Sequence, residues 1–186
     1  MGSAYTAVAD DGAAAYWNPA GITQVKLGLM PTVGIQGKFG DIQEVIFNQE
    51  FKDFEGSLKA NYGAGLTLRH FALNAFGDIS GRIEQQDNQP FLTVEHVMRG
   101  NLTLAKEFTG LLALGLNAKY VSVQSETQNY LEEKIDSSKG TGFAVDLGAM
   151  AKVGKLVRVG AVLKDYPITK IKLDNGRSYE LPTKIV

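Results

Sequence analysis

The sequence predicts an all-β chain: an antiparallel up-and-down transmembrane β-barrel, incomplete at about seven or eight wall strands, with a short helical segment at its N-terminus. Three observations lead there. Seven segments alternate apolar and small or polar residues with period 2, the mark of a pleated strand with two unlike faces. The links between them alternate between short and long, as in a barrel with turns on one rim and loops on the other. No run approaches the roughly 18 to 20 continuous apolar residues of a membrane helix, and mean hydropathy is -0.08. A membrane barrel tolerates so neutral an average because only every second residue meets lipid.

The first element is a small-residue stretch from Gly2 to Ile22. Asp10 or Asp11 is placed to cap a short helix over Gly12 to Trp17. Pro19 ends it, because the residue before proline is pushed out of the α region. Residues 1–24 therefore stand apart from the alternating stretch of residues 25–186.

The wall follows in order. Leu27, Leu29, Pro31, Val33 and Ile35 interleave with Lys26, Gly28, Met30, Thr32, Gly34 and Gln36. Later segments repeat the pattern with apolar faces Tyr62–Leu68, Leu73–Ile79, Met98–Leu104, Leu112–Tyr120, Phe143–Ala149 and Val157–Leu163. With a little flank, most reach the roughly 9 to 11 residues of a tilted membrane-crossing strand. Phe108-Thr109-Gly110 and Gly154-Lys155 read as tight turns, and Glu84 to Gln89 and Ser125 to Lys139 as long polar links. Asp41 to Lys59 breaks the pattern. Ile42, Val45, Ile46, Phe54 and Leu58 recur at helical spacing there, which reads as a short amphipathic helix or a structured loop. Asp174-Asn175-Gly176 is a hairpin signal between Ile171 and Tyr179, and another strand begins near Val186.

Alternation alone also describes half of a soluble sandwich or a lipocalin-like barrel, so the direction of the apolar face decides the class. The polar face is rich in Gly, Asn, Ser and Thr and sparse in charge. Its charges are Arg69, Asp78, Arg99, Lys119, Asp146 and Arg158. A sheet surface in bulk water carries denser Lys and Glu. Small residues with a few mixed charges suit a crowded polar lumen, so these six and Asn117 are expected to face inward.

Other chemistries find little support. A net charge of -1 gives no electrostatic footprint for nucleic acid. The absence of cysteine excludes a disulfide frame, a thiolate metal site and a Cys nucleophile. His70 and His96 are far apart and lack zinc-ligand spacing. No G-x-S-x-G elbow occurs, and Gly34-Ile-Gln-Gly-Lys38 lacks phosphate-loop spacing. Glu132, Glu133 and Asp136 cluster in a polar link and read as a solvated rim, with an external divalent-cation site as the sharper alternative. No catalytic residue, cofactor or resident metal is expected, and the chain is not read as an enzyme.

The opening segment, with its core Ala7-Val-Ala-Asp-Asp-Gly-Ala-Ala-Ala-Tyr-Trp-Asn-Pro-Ala-Gly-Ile22, resembles the N-terminal signature of the FadL-type outer-membrane superfamily. That group includes long-chain fatty-acid channels and the PorV and TraF outer-membrane proteins. Gly140–Ala149 with Val159–Asp165, Leu114–Tyr120, and the tail through Asp174-Asn-Gly176 and Glu180-Leu-Pro182 look like strands and a loop of the same group. The resemblance implies an N-terminal plug, residues 1–24 here, inside a wall of about fourteen strands, of which residues 25–186 form part. It places Tyr16, Trp17, Asn18, Pro19, Ala20 and Gly21 on the plug and the solute pathway.

The function so implied is passive uptake of hydrophobic solutes, such as long-chain fatty acids, across the outer membrane of a diderm bacterium. Membrane lipid and a hydrophobic small molecule are the expected partners. The alternative is a structural or shuttle barrel of a secretion or conjugation apparatus, with secretion-system proteins as partners and no transport role. A soluble periplasmic binding protein is a third reading. Met1-Gly2-Ser3 carries neither a basic nor an apolar signal region. An exported barrel therefore expects a signal upstream and further strands downstream, with cytosolic residence as the competing explanation.

Overall fold

The computed structural model describes residues 6–39, 56–86, 89–129, 134–153 and 157–186. Period-2 alternation drives the chain into one antiparallel meander. Its strands are β1 (Leu27–Leu29), β2 (Thr32–Phe39), β3 (Gly56–Leu68), β4 (Phe71–Gln86), β5 (Gln89–Phe108), β6 (Leu112–Asn129), β7 (Lys134–Val153) and β8 (Val157–Pro167), followed by the short β9 (Ile171–Leu173), β10 (Ser178–Tyr179) and β11 (Lys184–Ile185). Neighbours in sequence are neighbours in space from β3 to β8, with β1 and β2 on the outer edge of β3 and β11 on the outer edge of β8. The sheet is all-β and up-and-down, but not closed.

Two expected loops are strand. The β4–β5 ladder continues to Gln86↔Gln89, through the stretch read as a polar link. The β6–β7 ladder likewise pairs Ser125 with Ser138 and Asn129 with Lys134. Both stretches are polar because the hairpins run past the apolar part of the sheet. Of the proposed helix over Asp41 to Lys59, Leu58 and Lys59 lie in β3, since Leu58 continues the period-2 face of Tyr62. Ile42, Val45, Ile46 and Phe54 lie outside the described residues, as do Glu132, Glu133 and the Gly154-Lys155 turn. The turn after β5 has Thr109 at φ 53° and Gly110 at φ 67°, the paired left-handed geometry whose twist suits a tight hairpin.

The direction of the faces is unambiguous. Leu114, Leu116, Leu147, Val157 and Val159 are 41–54% exposed, whereas Asn117 and Asp146 have no exposed surface and Lys119 is 6% exposed. The apolar face is thus the outer one, and the polar face packs inward against the N-terminal segment.

The apolar border is also slanted. At the turn end the outermost apolar residue is Val157 on β8, level with Val153, and Leu68 on β3, level with Phe71, Leu104 and Leu116. At the other end it is Tyr166 on β8, level with Val145 and Ala118, and Leu58 on β3, level with Gly81, Val94 and Glu126. The band therefore slides about six to eight residues over five strand spacings. At roughly 3.3 Å per residue and 4.8 Å per strand, such a slide corresponds to strands inclined by about 40–50° to the band. Along β7 the band runs from Val153 to Phe143, about 33 Å of strand and so about 23 Å in height at that inclination.

Candidate functional site

The inner face holds a plug, a charged row and a cavity. The plug is helix α1 (Ala14–Trp17) followed by a 3-10 turn (Pro19–Gln24). Asp11 steadies its start by accepting from the Ala13 amide at 2.8 Å. Asn18 lies between the two helices in extended conformation. Its Oδ1 accepts from Ala20 N at 3.0 Å, and its Nδ2 donates to the carbonyls of Thr6 (2.8 Å) and Ala149 (3.2 Å). Asn18, Pro19, Ala20 and Gly21 are all buried. They seat on glycines of the wall. A Cβ on Gly115 would overlap Pro19 and Ala20, and one on Gly148 would overlap Asn18 and Pro19. The small residues of the wall's inner face are what let the plug backbone approach so closely.

Beside the plug lies a charged row. Lys119 Nζ donates at 2.7 Å to Asp146 Oδ1 and at 2.7 Å to Asp165 Oδ1, with 7%, 1% and 24% of the three side chains exposed. Asp146 Oδ1 also accepts from the Asp165 amide at 2.7 Å, and Asp146 Oδ2 from Asn117 Nδ2 at 2.8 Å. Asn117 Nδ2 donates as well to the Ala15 carbonyl at 3.0 Å, which ties the wall to α1. Three donors around one buried carboxylate are what allow its charge to sit there. Asp165 reaches the row through a β-bulge: the register of β7 and β8 shifts between Val145 and Leu147, and Asp165 has φ 57°. The bulge turns two successive residues, Lys164 and Asp165, to the inner face.

Lys164 Nζ donates to the Tyr16 carbonyl at 2.8 Å and stands 4.4 Å and 5.6 Å from the ring centroids of Tyr16 and Trp17. Tyr16 packs edge-on against Trp17 at 5.4 Å and Phe76 at 5.5 Å. These groups form one wall of a cavity of about 510 Å³ that Asp78, Arg99, Asn101, Asn117, Lys119 and Asp146 also line. Arg99 and Asp78 form an ion pair across β4 and β5. The β9–β10 hairpin bounds the far side through Tyr179 and Leu181. Its Ile171 and Leu181 are buried against Val97, Val121, Val123 and Ala144 on the inner face. Loss of hydration raises the Tyr179 pKa above its ordinary value, with the nearby Glu95 carboxylate adding to the effect.

Five of the seven residues expected in the lumen, Asp78, Arg99, Asn117, Lys119 and Asp146, line this cavity. Arg69 and Arg158 do not. Arg69 sits in the β3–β4 turn, 61% exposed and 3.8 Å from Glu107. Arg158 is exposed at the turn end of β8, donating to Gln24 Oε1 at 2.7 Å. Alternation gave their parity but not their depth along the strand. His70 occupies the β3–β4 turn, and His96 bonds Tyr62 Oη at 2.7 Å on the outer face. Among the described residues no group of three or more His, Asp or Glu side chains could hold a metal ion.

Residues that sequence reasoning passed over are Lys164, Asp165, Asn74, Asn101 and Thr103. The first two carried a signal: apolar Leu163 and Tyr166 are three apart instead of two, which is how a one-residue bulge reads in sequence. The others look like ordinary polar-face residues. Comparison of the chain with protein-family models, with curated proteins and with solved structures finds no match.

Proposed function

We propose that this chain forms wall and plug of a membrane-spanning β-barrel in a diderm outer membrane, and that its internal cavity handles hydrophobic or amphipathic solutes moving passively. One observation carries the reading: an apolar outer band that crosses the strands at about 40–50°, over a polar and buried inner face. A flat slab of hydrocarbon cuts tilted strands along such a slanted line. The inclination and the height of about 23 Å are close to those of transmembrane barrels, roughly 35–45° and 25 Å. Tyr120, Phe143 and Tyr166 stand near the upper border, where aromatic residues favour the membrane interface. The cavity supports solute handling by joining the Tyr16, Trp17 and Phe76 rings to polar groups.

The native lack of cysteine makes the test direct. Single cysteines replace Leu104, Leu116, Leu147 and Val159 in the full polypeptide, and each carries a fluorophore in vesicles of brominated phosphatidylcholine. Strong quenching at all four, and little at a label in place of Asn61, which lies inside the band's height on the inner face, is expected. Equal quenching at both sets sinks the membrane reading.

A second reading has its own support. Asn18, Pro19, Ala20 and Gly21 are buried and packed onto wall glycines, so the plug fills the inner face at that level. A barrel serving as an anchor or shuttle for secretion proteins needs such a seal and no pathway. Solute flux into vesicles containing the full polypeptide separates the two: measurable uptake supports transport, and a tight membrane supports the anchor.

A further inference from the structure

The outer face is not evenly filled. Gly100 on β5 interrupts the apolar band, and a Cβ there would meet nothing within 4 Å. Around it lies a depression of about 440 Å³, walled by Leu73, Leu102, Ala118, Tyr120, Phe143 and Ile168. These residues are exposed, so the depression opens outward. The Tyr120 and Phe143 rings, 5.6 Å apart, form its upper rim with Ile168. Directly above that rim the outer face turns cationic. Lys172 is level with Thr141, two residues beyond Phe143 on β7, and Lys139 is two residues further along. Both are exposed, and Lys139 has the outward parity of Phe143. Lys170 is exposed too, at the bend between Ile168 and β9. At about 3.3 Å per residue and an inclination of about 45°, Lys172 and Lys139 stand about 5 and 9 Å above the aromatic border. That is headgroup depth, since the polar layer adds roughly 5–8 Å on each side of the hydrocarbon. Among the described residues none of the three lysines forms an ion pair. The carboxylates nearest in register are Asp174, whose Oδ1 accepts from the Lys139 amide at 3.0 Å, and Glu126, diagonal to Lys139 across β6 and β7. Three cations beside two carboxylates leave the patch positive.

We infer that this face holds one phosphate-bearing membrane lipid, its acyl chain lying in the Gly100 depression and its phosphate between Lys139, Lys170 and Lys172. The inference rests on the membrane reading above and names a partner for the outer face. Lys172 and Lys139 are diagonal neighbours on adjacent strand positions. Such neighbours lie about 7–8 Å apart. Their flexible stems let both ammonium groups reach one phosphate, whose several oxygens accept from more than one donor. Below the rim the reason is packing. Hydrocarbon gives no hydrophobic drive to fill the depression, but an unfilled void forfeits dispersion contacts that a seated chain regains. A zwitterionic headgroup brings its own cation up to the lysines, so it suits the patch less well than an anionic one.

Bromine quenching tests it. The full polypeptide carries one fluorophore at Ser122→Cys, level with Thr141 and just above the Tyr120 border. It is placed in phosphatidylcholine vesicles with a varied share of brominated phosphatidic acid or of brominated phosphatidylcholine. Phosphatidic acid should reach half-quenching at a mole fraction at least about fivefold lower, the attraction of about one surface lysine for an anionic headgroup. A label at Leu58→Cys, on the upper border of β3 and away from the lysines, should show no such preference. Lys139→Gln combined with Lys172→Gln should bring the preference at Ser122 near unity. Gly100→Leu fills the depression and spares the lysines, and it should raise the half-quenching fraction of phosphatidic acid at least about threefold through lost chain packing. Equal quenching by the two lipids at Ser122, a preference that survives the lysine substitutions, or one that Leu58 shows as strongly, overturns the lipid site and leaves the membrane reading intact. A midpoint unmoved by Gly100→Leu overturns it as well. No quenching at either label by either lipid overturns both.

Discussion

Asn117 and Asp146 face each other across β6 and β7 with no exposed surface, joined by a 2.8 Å hydrogen bond, and between them they connect α1 to the wall. Asp146 also holds Lys119 and the amide of the bulged Asp165. Removing its carboxylate leaves a buried ammonium with one partly exposed partner and undoes the bulge's anchor. Asp146→Ala should cost about 3–5 kcal/mol, the usual penalty for breaking a buried pair from one side. Asp78→Ala, whose Arg99 pair is substantially exposed, should cost less than about 1 kcal/mol. Urea unfolding of the full polypeptide in detergent measures both. Equal losses would mean that burial does not set the value of these pairs.

The plug's seat gives a second test. Valine in place of Gly115 or Gly148 must push Pro19, Ala20 or Asn18 off the wall, since even a Cβ overlaps them. The expected result is a displaced plug with the sheet retained: stronger iodide quenching of Trp17 and unchanged far-ultraviolet circular dichroism. Gly100 is the control. A Cβ there meets nothing within 4 Å, so Gly100→Ala should stay within about 0.5 kcal/mol of the parent and leave Trp17 protected.

The β5–β6 turn carries local strain. Thr109 is a β-branched residue at φ 53°, where asparagine or glycine is more at ease. Thr109→Asn should raise stability by about 1 kcal/mol, and Gly110→Val should lower it by at least as much, since it puts a second branched residue at φ 67°. Thermal unfolding of both variants reads the difference.

Tyr179 supplies a pH dependence. Its folded pKa lies above 10.0, so the unfolded chain loses this proton first. In the window above pH 10 the folded state binds more protons than the unfolded one, and stability therefore falls as pH rises. Tyr179→Phe should flatten that part of the stability curve, and the difference in tyrosinate absorbance between the parent and this variant follows the ionisation of Tyr179 among the seven tyrosines.

Most of the wall was legible because the signal is redundant. Every apolar face read from alternation, from Leu27–Ile35 to Val157–Leu163, lies on the outer side of the sheet. The hairpin at Asp174-Asn175-Gly176 forms too, with Gly176 at φ 83°. Depth was not legible. Arg158 has the inward parity of Asn117, yet it lies at the rim beside Gln24, because alternation assigns a face and says nothing of height. Strand ends were misplaced for a related reason: beyond Tyr120 the outward residues Ser122, Gln124 and Glu126 are polar, which resembles a loop when the ladder in fact continues. The Lys119–Asp146–Asp165 cluster depends on a bulge and on pairing 46 residues apart, and neither is a property of a local window.

The outward face allows a test that no interior change can imitate. Leu116 is 41% exposed and lies mid-band on β6, level with Leu104 and Leu147. On a soluble sheet, an arginine at so exposed a position would be nearly neutral. Facing hydrocarbon near the bilayer midplane, it costs about 2–4 kcal/mol, falling to about 0–1 near the interface. Leu116→Arg should therefore destabilise the full polypeptide in phosphatidylcholine vesicles several-fold more than Ser122→Arg, which lies just past the Tyr120 border. The same pair should differ little in a soluble environment. Equal effects of Leu116→Arg and Ser122→Arg in vesicles would place the apolar band against something other than lipid.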